Sequence, residues 1–343
     1  MKGKRGDGEK KRSGAKGERV DEKSSQLSHT SPFHPISFPS PPLPVSAAAI
    51  IGAGRLGGAL AHALDAAGFR ISALVSRRLP NARRATRLCS NSRPLALSAT
   101  QLDRLPDSDL FIITTPDDTI AATAAQLASA IAAQHWSPRR RVALHASGAL
   151  SSDALAPLRA LNFAVGSMHP LASITDAADS FANLRGAFYC VEGDRAATKI
   201  ARELVCALGG ESFTINKKDK ALYHAAAVMT AGHAVALFDT AAELLVRCGL
   251  TPAKARHILQ PLLQTACANL RTQTPSRALT GTFARADLAT VQKHLAALRA
   301  HQMTDALELY VLLGLRSLAL AKDSGVDATK LKAIARALCE ERD

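Results

Sequence analysis

One stretch constrains this chain more than any other: Ala48 to Leu60, reading AAIIGAGRLGGAL. An apolar run ending in Ile50-Ile51 feeds a Gly-Ala-Gly-Arg-Leu-Gly turn, and small and aliphatic residues follow at helical spacing. A strand, a tight turn and a helix start are the context in which Gly-x-Gly-x-x-Gly holds a dinucleotide. Gly52 permits the turn, Gly54 lets a pyrophosphate approach the backbone, and Gly57 lets the helix pack closely on its strand. Arg55 and Leu56 open that helix, whose unpaired N–H groups and positive dipole end favour phosphate.

From Ala47 onward strands and helices alternate, the signature of a parallel sheet. Ile71 to Ser76 reads as the second strand and ends in Ser76-Arg77-Arg78, ~20 residues beyond the glycine turn, where the adenine ribose is read. A carboxylate there would bond the 2′-hydroxyl of NAD; a serine and two arginines instead suit the 2′-phosphate of NADP. Asp109 to Thr115 is a buried strand running into Pro116-Asp117-Asp118, so Thr115 and Pro116 are expected against the nicotinamide. Arg141 to His145 leads into Ala146-Ser147-Gly148, and Phe163 to Ser167 into Met168-His169-Pro170. Three strand ends thus deliver Asp117, His145 with Ser147, and His169 toward one crevice at the carboxyl edge of the sheet. Phe188 to Val191 and Glu211 to Ile215 read as further strands, separated by a helix from about Asp194 to Leu208.

After Asn216 the pattern changes. Lys218 to Val246 predicts one long buried helix, and Thr251-Pro252 starts the next, which Pro261 should kink. A loop from Arg271 to Ala286 precedes helices from about Asp287 to His301 and Thr304 to Ala321, and Asp327 caps a last one. The expected domains are a basic, Pro/Ser-rich unfolded tail at 1–46, a nucleotide-binding domain at 47–216 and a helical domain at 217–343.

Composition narrows the function classes. The net charge is +14, but the first 23 residues hold nine Lys/Arg against five Asp/Glu, leaving a dispersed +10 on the rest. No basic stripe interleaves with aromatics, so a nucleic-acid partner is not expected. No run reaches the ~18 uncharged apolar residues of a membrane span. The six cysteines are scattered without metal-ligand spacing, which suits a reduced, cytoplasmic setting and no structural metal.

Lys220 and His224 stand four apart and share a helix face at the junction of the two domains. A lysine ammonium holds a carboxylate or polarises a carbonyl, and an imidazole moves the proton that accompanies hydride transfer. His169, at a strand's carboxyl end, is a second acid/base candidate, and Ser147 is placed to orient substrate. Tyr223, Lys218 and His145 are weaker candidates. Arg285, in the loop TGTFARAD, is a possible contact for an anionic substrate.

GAGRLGGAL, TTPDD, HASGALSSDAL, GSMHPLASI, KALYHAAAV and ALTGTFARAD, in this order, resemble the Rossmann-like proteins whose C-terminal half is domain of unknown function 2520 (DUF2520). The similarity runs from about Ala48 to the C-terminus. It implies a β-hydroxyacid-dehydrogenase-like, NADP-linked oxidoreductase: an α/β Rossmann doubly wound parallel sheet, then an all-helical domain resembling the C-terminal one of 6-phosphogluconate dehydrogenases, which forms a homodimer. Prephenate dehydrogenases carry their catalytic histidine on a similar His-Pro turn, matching His169, and a serine matching Ser147. In hydroxyacid dehydrogenases a catalytic lysine opens the long helix, matching Lys220, but His224 stands where an asparagine would follow. The chain also departs from the DUF2520 pattern, with Ala231-Gly232 for Ser-Asn and Gly281 to Asp287 reading GTFARAD. The expectation is hydride transfer between NADP(H) and a small, anionic hydroxy/keto or imine substrate, with Lys220, His224 and His169 as alternative proton donors. The alternative reading is a non-catalytic NADP(H)-binding sensor or interaction protein.

Overall fold

The computed structural model describes residues 45–341, apart from 135, 137 and 138. The tail expected at 1–46 lies outside the described residues up to position 44. The remaining N-terminal half is an eight-stranded sheet in the order β3-β2-β1-β4-β5-β6-β7-β8. Its strands are β1 (Ala48–Ile51), β2 (Ile71–Ser76), β3 (Leu95–Ser98), β4 (Leu110–Ile113), β5 (Arg141–His145), β6 (Phe163–Pro170), β7 (Phe188–Gly193) and β8 (Glu211–Phe213). All pairings are parallel except β6 with β7. The first six follow the doubly wound order 3-2-1-4-5-6, so the chain reverses direction of travel between β1 and β4.

Strands buried on both faces read as continuous apolar runs, and β1 and β4 are buried at every position. Alternate residues of β1 feed different cores. Ala48 and Ile50 join Leu60 and Leu64 of α1 (Arg55–Ala66) on one face, and Ala49 and Ile51 join Ile120 and Leu127 of α3 (Asp117–Ala132) on the other. Each such fully buried aliphatic side chain contributes about 1.5–3 kcal/mol. The second crossover uses α2 (Leu79–Thr86), and α4 (Ala156–Arg159), α5 (Phe181–Leu184) and α6 (Arg195–Ala207) complete the layers. β2 and β5 have the expected bounds, whereas ends of β4, β6, β7 and β8 differ by one to three residues. Neither α2 nor β3 was anticipated, because their sequence carries little apolar periodicity.

The helical region opens with α7 (Lys220–Thr230), followed by α8 (Gly232–Arg247), α9 (Pro252–Thr272), α10 (Pro275–Ala278), α11 (Gly281–Ala284), α12 (Leu288–Ala300), α13 (Thr304–Asp323) and α14 (Ala328–Cys339). Three of its expected features are corrected. The long helix is divided at Ala231, a distorted helical residue with φ of −105° and ψ of −66°. It is also exposed rather than buried: Leu222, Met229 and Val235 are 76%, 64% and 70% exposed, and α9 adds exposed Ile258, Leu262 and Leu270. By length and hydropathy, Lys217–Arg247 would suffice to cross a membrane. The loop at 271–286 holds two single-turn helices. α9 runs through Pro261, its first turn capped by Thr251. The core of this region lies at its far end, where α12, α13 and α14 bring together Val291, Leu295, Val311, Leu318, Ile334 and Leu338.

Candidate active site

The glycine turn builds a cradle from backbone alone. Gly52 has φ +112°, and its amide and that of Ala53 both donate to Val75 O at 2.8 Å, tying the turn to the end of β2. A Cβ on Gly52 would lie 2.7 Å from the Thr114 carbonyl carbon, whereas one on Gly54 would meet nothing nearer than 3.9 Å. Gly54 therefore faces open space, as close approach of a phosphate requires. Gly57 stands behind it, where a Cβ would overlap Gly52 O and Thr114 Oγ1. The first turn of α1 has no side-chain cap and no acidic residue, leaving its N–H groups free for an anion.

This cradle is one wall of a cavity of about 480 Å³ bordered by Gly52, Gly54, Ser76, Arg77, Thr115 and Pro116. Thr115 Oγ1 is buried there with no hydrogen-bond partner among the described residues. An open glycine cradle and an orphaned hydroxyl fit a dinucleotide. Of the expected contacts, Arg55, Leu56 and Arg78 do not border the cavity, and Arg55 and Arg78 point to solvent. Asn81, Thr119, Thr123 and Gln126 border it and were missed. The last three lie on one face of α3, at i, i+4 and i+7, a spacing that was legible once Pro116 was taken as the helix cap.

Beside the cradle, β4, β5 and β6 end in a buried polar network that takes in two expected catalytic groups. Ser147 is 5% exposed. Its hydroxyl donates to Asp117 Oδ2 at 2.7 Å and accepts the amides of Ala149 and Leu150 at 3.1 and 3.0 Å. It closes a loop and does not face the cleft. Lys220, at 1% exposure, donates to Ser147 O at 3.2 Å and to Ser167 Oγ at 2.8 Å, pinning α7 to the ends of β5 and β6. Burial pulls its pKa below the ordinary lysine range. Its ammonium is engaged by the protein rather than offered to a ligand.

His145 is a strut of the same network. Its Nδ1 accepts the Ser147 amide at 3.2 Å and its Nε2 donates to Ser151 O at 3.0 Å, a pairing that only the neutral ring makes. Burial pushes its pKa down to about 4. An unfolded histidine titrates near ~6.5, so the unfolded chain binds more protons between the two values. His145 thus stabilises the fold fully above ~6.5 and loses that contribution as pH falls toward 4, by up to about 3 kcal/mol. Denaturant melts at pH 7 and 4.5 should show this loss, and His145→Gln should flatten the slope. A parallel slope in the variant would remove His145 as its source.

The groups that do face a cleft are His169 and His224. They border a second cavity, of about 600 Å³, with Tyr223, Pro170, Leu171, Phe213, Ala227, Val228 and the Ala231-Gly232 break. The two imidazoles stand edge to face with centroids 5.3 Å apart. His169 Nδ1 is 2.7 Å from Tyr223 Oη. His224 Nδ1 is buried without a partner among the described residues. Burial, followed by the neighbouring His224, Lys220 and His145, pushes the His169 pKa down to about 3, so it is neutral at physiological pH. Gly148 makes the arrangement possible: a Cβ there would overlap His224 Nδ1 and lie 2.9 Å from His169 Nε2. Arg285 is exposed at the end of α11, away from both cavities, and Asp287 caps α12.

A nucleotide cradle at the switch point, with paired imidazoles two strands along and a helical region behind them, defines a Rossmann-type protein. Two family models match in tandem, a Rossmann-like domain over residues 42–170 and DUF2520 over residues 187–317. The chain belongs to the Rossmann-like proteins that carry DUF2520. None of the curated proteins compared with the chain matches it. Two solved structures share its fold. BF3122 from Bacteroides fragilis, provisionally an NADP oxidoreductase, is 21% identical with a TM-score of 0.63 over 80% of this chain and 97% of that one. TM1727 from Thermotoga maritima is 19% identical with a TM-score of 0.61 over 81% and 99%.

Proposed function

We propose that the protein is an NADP-dependent oxidoreductase that transfers a hydride between NADP(H) and a small hydroxy/keto or imine compound. The observation that carries this reading is the adjacency of two sites. The cradle ends at Thr115 and Pro116, just past β4, and His169 is the penultimate residue of β6, two strand spacings or ~10 Å along the sheet. When bound, the nucleotide supplies or accepts the hydride. The cradle's amides and Gly54 hold the phosphates, Ser76, Arg77 and Asn81 stand at the 2′-phosphate end, and Thr115 and Pro116 face the reacting ring. His169 and His224 hold the substrate oxygen or nitrogen between them and manage its proton. Lys220 positions α7 rather than donating that proton, which narrows three candidate donors to two.

Among the described residues, no lysine or arginine borders the histidine cavity. A carboxylate on the substrate therefore finds no full counter-charge there, and the carbonyl or imine centre rather than an anionic group is what the cavity is shaped for. Several apolar side chains on α7, α8 and α9 remain exposed. A second copy of the chain is the occupant that fits them. Lys220 roots this helix in the sheet, and Asp239, Glu243 and Arg247 place charges along it that a bilayer would disfavour. Free thiols at all six cysteines agree with a reducing, cytoplasmic setting.

Titration with NADPH and NADH tests the reading. The protein should prefer NADPH, and Arg77→Ala should weaken NADPH binding roughly tenfold to a hundredfold, toward the NADH value, as loss of a charged phosphate contact does. Arg78→Ala should do less, because Arg78 stands off the cavity. Equal binding of both nucleotides would overturn the NADP assignment, and binding of neither would overturn the oxidoreductase. Sedimentation of the same samples should give twice the chain mass; a monomer would refute the second copy. The sensor reading rests on Ala231-Gly232, which replace a polar pair at the wall of the histidine cavity. Its mark would be nucleotide binding with no turnover of any carbonyl or imine compound.

A further inference from the structure

The contact between His169 and Tyr223 decides what His169 is able to do. Their polar atoms are 2.7 Å apart and their rings meet edge to face at 5.6 Å. The phenol is itself held in place. Phe213 packs against it at 5.8 Å, the Lys220 ammonium lies 5.8 Å from its ring centre, and it follows Lys220 by three residues on α7. Across the β6–β7 ladder His169 pairs with Cys190, whose thiol is an electrostatic neighbour of the phenol.

We propose that Tyr223 is a positioning residue whose hydroxyl donates to His169 Nδ1, fixing the imidazole in the tautomer that carries its proton on Nε2. The number of protons available sets the direction of this bond. The phenol has one, and an imidazole nitrogen is a far better acceptor than a thiol sulfur. Burial raises the thiol of Cys190 and the phenol of Tyr223, so both keep their protons, and it holds His169 neutral. The Cys190 S–H is then free to point at the phenol oxygen, and Nδ1 receives the phenol's proton. Nε2, beside Gly148 and His224, is left as an N–H.

His169 is therefore a hydrogen-bond donor toward the cavity and not a base. In a site of this kind it would orient the substrate oxygen, leaving His224, with its buried unpartnered Nδ1, as the group that exchanges the proton. The tautomer is a property of the protein alone, so its test stands apart from the oxidoreductase reading.

The experiment is ring-nitrogen NMR on the ¹⁵N-histidine-labelled full chain at neutral pH, with the His169 signals assigned by their loss in His169→Gln. The expected result is a protonated Nε2 and an unprotonated, hydrogen-bonded Nδ1. In Tyr223→Phe the Nδ1 signal should move downfield to the position of a free unprotonated nitrogen, with NADPH affinity unchanged. A protonated Nδ1 in the unmodified protein would overturn the proposal, as would an Nδ1 signal that Tyr223→Phe leaves in place. Should that variant fail to fold, the tautomer of the unmodified protein decides.

Discussion

Lys220→Ala should lower the melting temperature by about 5–10 °C, an effect unusual for a lysine. Surface lysines contribute within about half a kcal/mol, but this one is buried and makes two of the network's hydrogen bonds. Removing it strands Ser147 O and Ser167 Oγ, at ~1–3 kcal/mol for each buried group left unpaired, and opens a cavity where four methylenes packed. Nearby Lys218, exposed on the same segment, is the control: Lys218→Ala should leave the melting temperature unchanged. Lys220→Met keeps the volume and removes the ammonium, so comparing it with the alanine variant separates packing from hydrogen bonding. A Lys220→Ala protein that melts normally yet turns no substrate over would return Lys220 to the catalytic role expected from its sequence position.

The second large effect belongs to Gly57. Its missing Cβ is the space in which Gly52 O and Thr114 Oγ1 make their 2.8 Å hydrogen bond. Gly57→Val forces the turn away from β4, and overpacking of this kind costs ~1–3 kcal/mol of stability. The greater loss falls on the ligand, because displaced amides no longer converge on a phosphate. NADPH affinity should drop by at least about a hundredfold, equivalent to ~2.8 kcal/mol. Gly68→Ala provides the contrast. Gly68 has a positive φ, of +90°, but faces open space, so the substitution should cost some stability and no affinity. Equal NADPH binding by Gly57→Val and the unmodified protein would mean that the cradle is not the nucleotide site.

Much of the sheet was legible because its signals are local. Four apolar residues in a row mark β1 and β4, and the glycine spacing marks the turn between β1 and α1. The end of β2 was placed correctly because its apolar run gives way at Ser76 to two arginines. β3 was not, since LALS is short and half-exposed. The site divided along the same line. That His169 and His224 would meet followed from topology, but what each polar atom bonds to did not. Ser147 and Lys220 have the residue types and positions of catalytic groups, and only three-dimensional contacts show that a carboxylate engages the one and a carbonyl and a hydroxyl oxygen engage the other. The exposure of α7 and α8 was invisible for a different reason. An apolar helix has the same sequence whether its own chain covers it or another does.

The two halves of the site are encoded very differently along the chain. The glycine cradle is set by backbone, at the turns that follow β1, β2 and β4. The paired imidazoles depend on a meeting between β6 and α7 across 54 residues of chain, secured by one phenol and one lysine. Drift would erode these halves at unequal rates. Under the proposed function, a handful of substitutions at the joint would silence the chemistry while leaving a protein that still folds and still takes up its nucleotide, and a lineage so built could pass from catalyst to nucleotide reporter without rebuilding its scaffold.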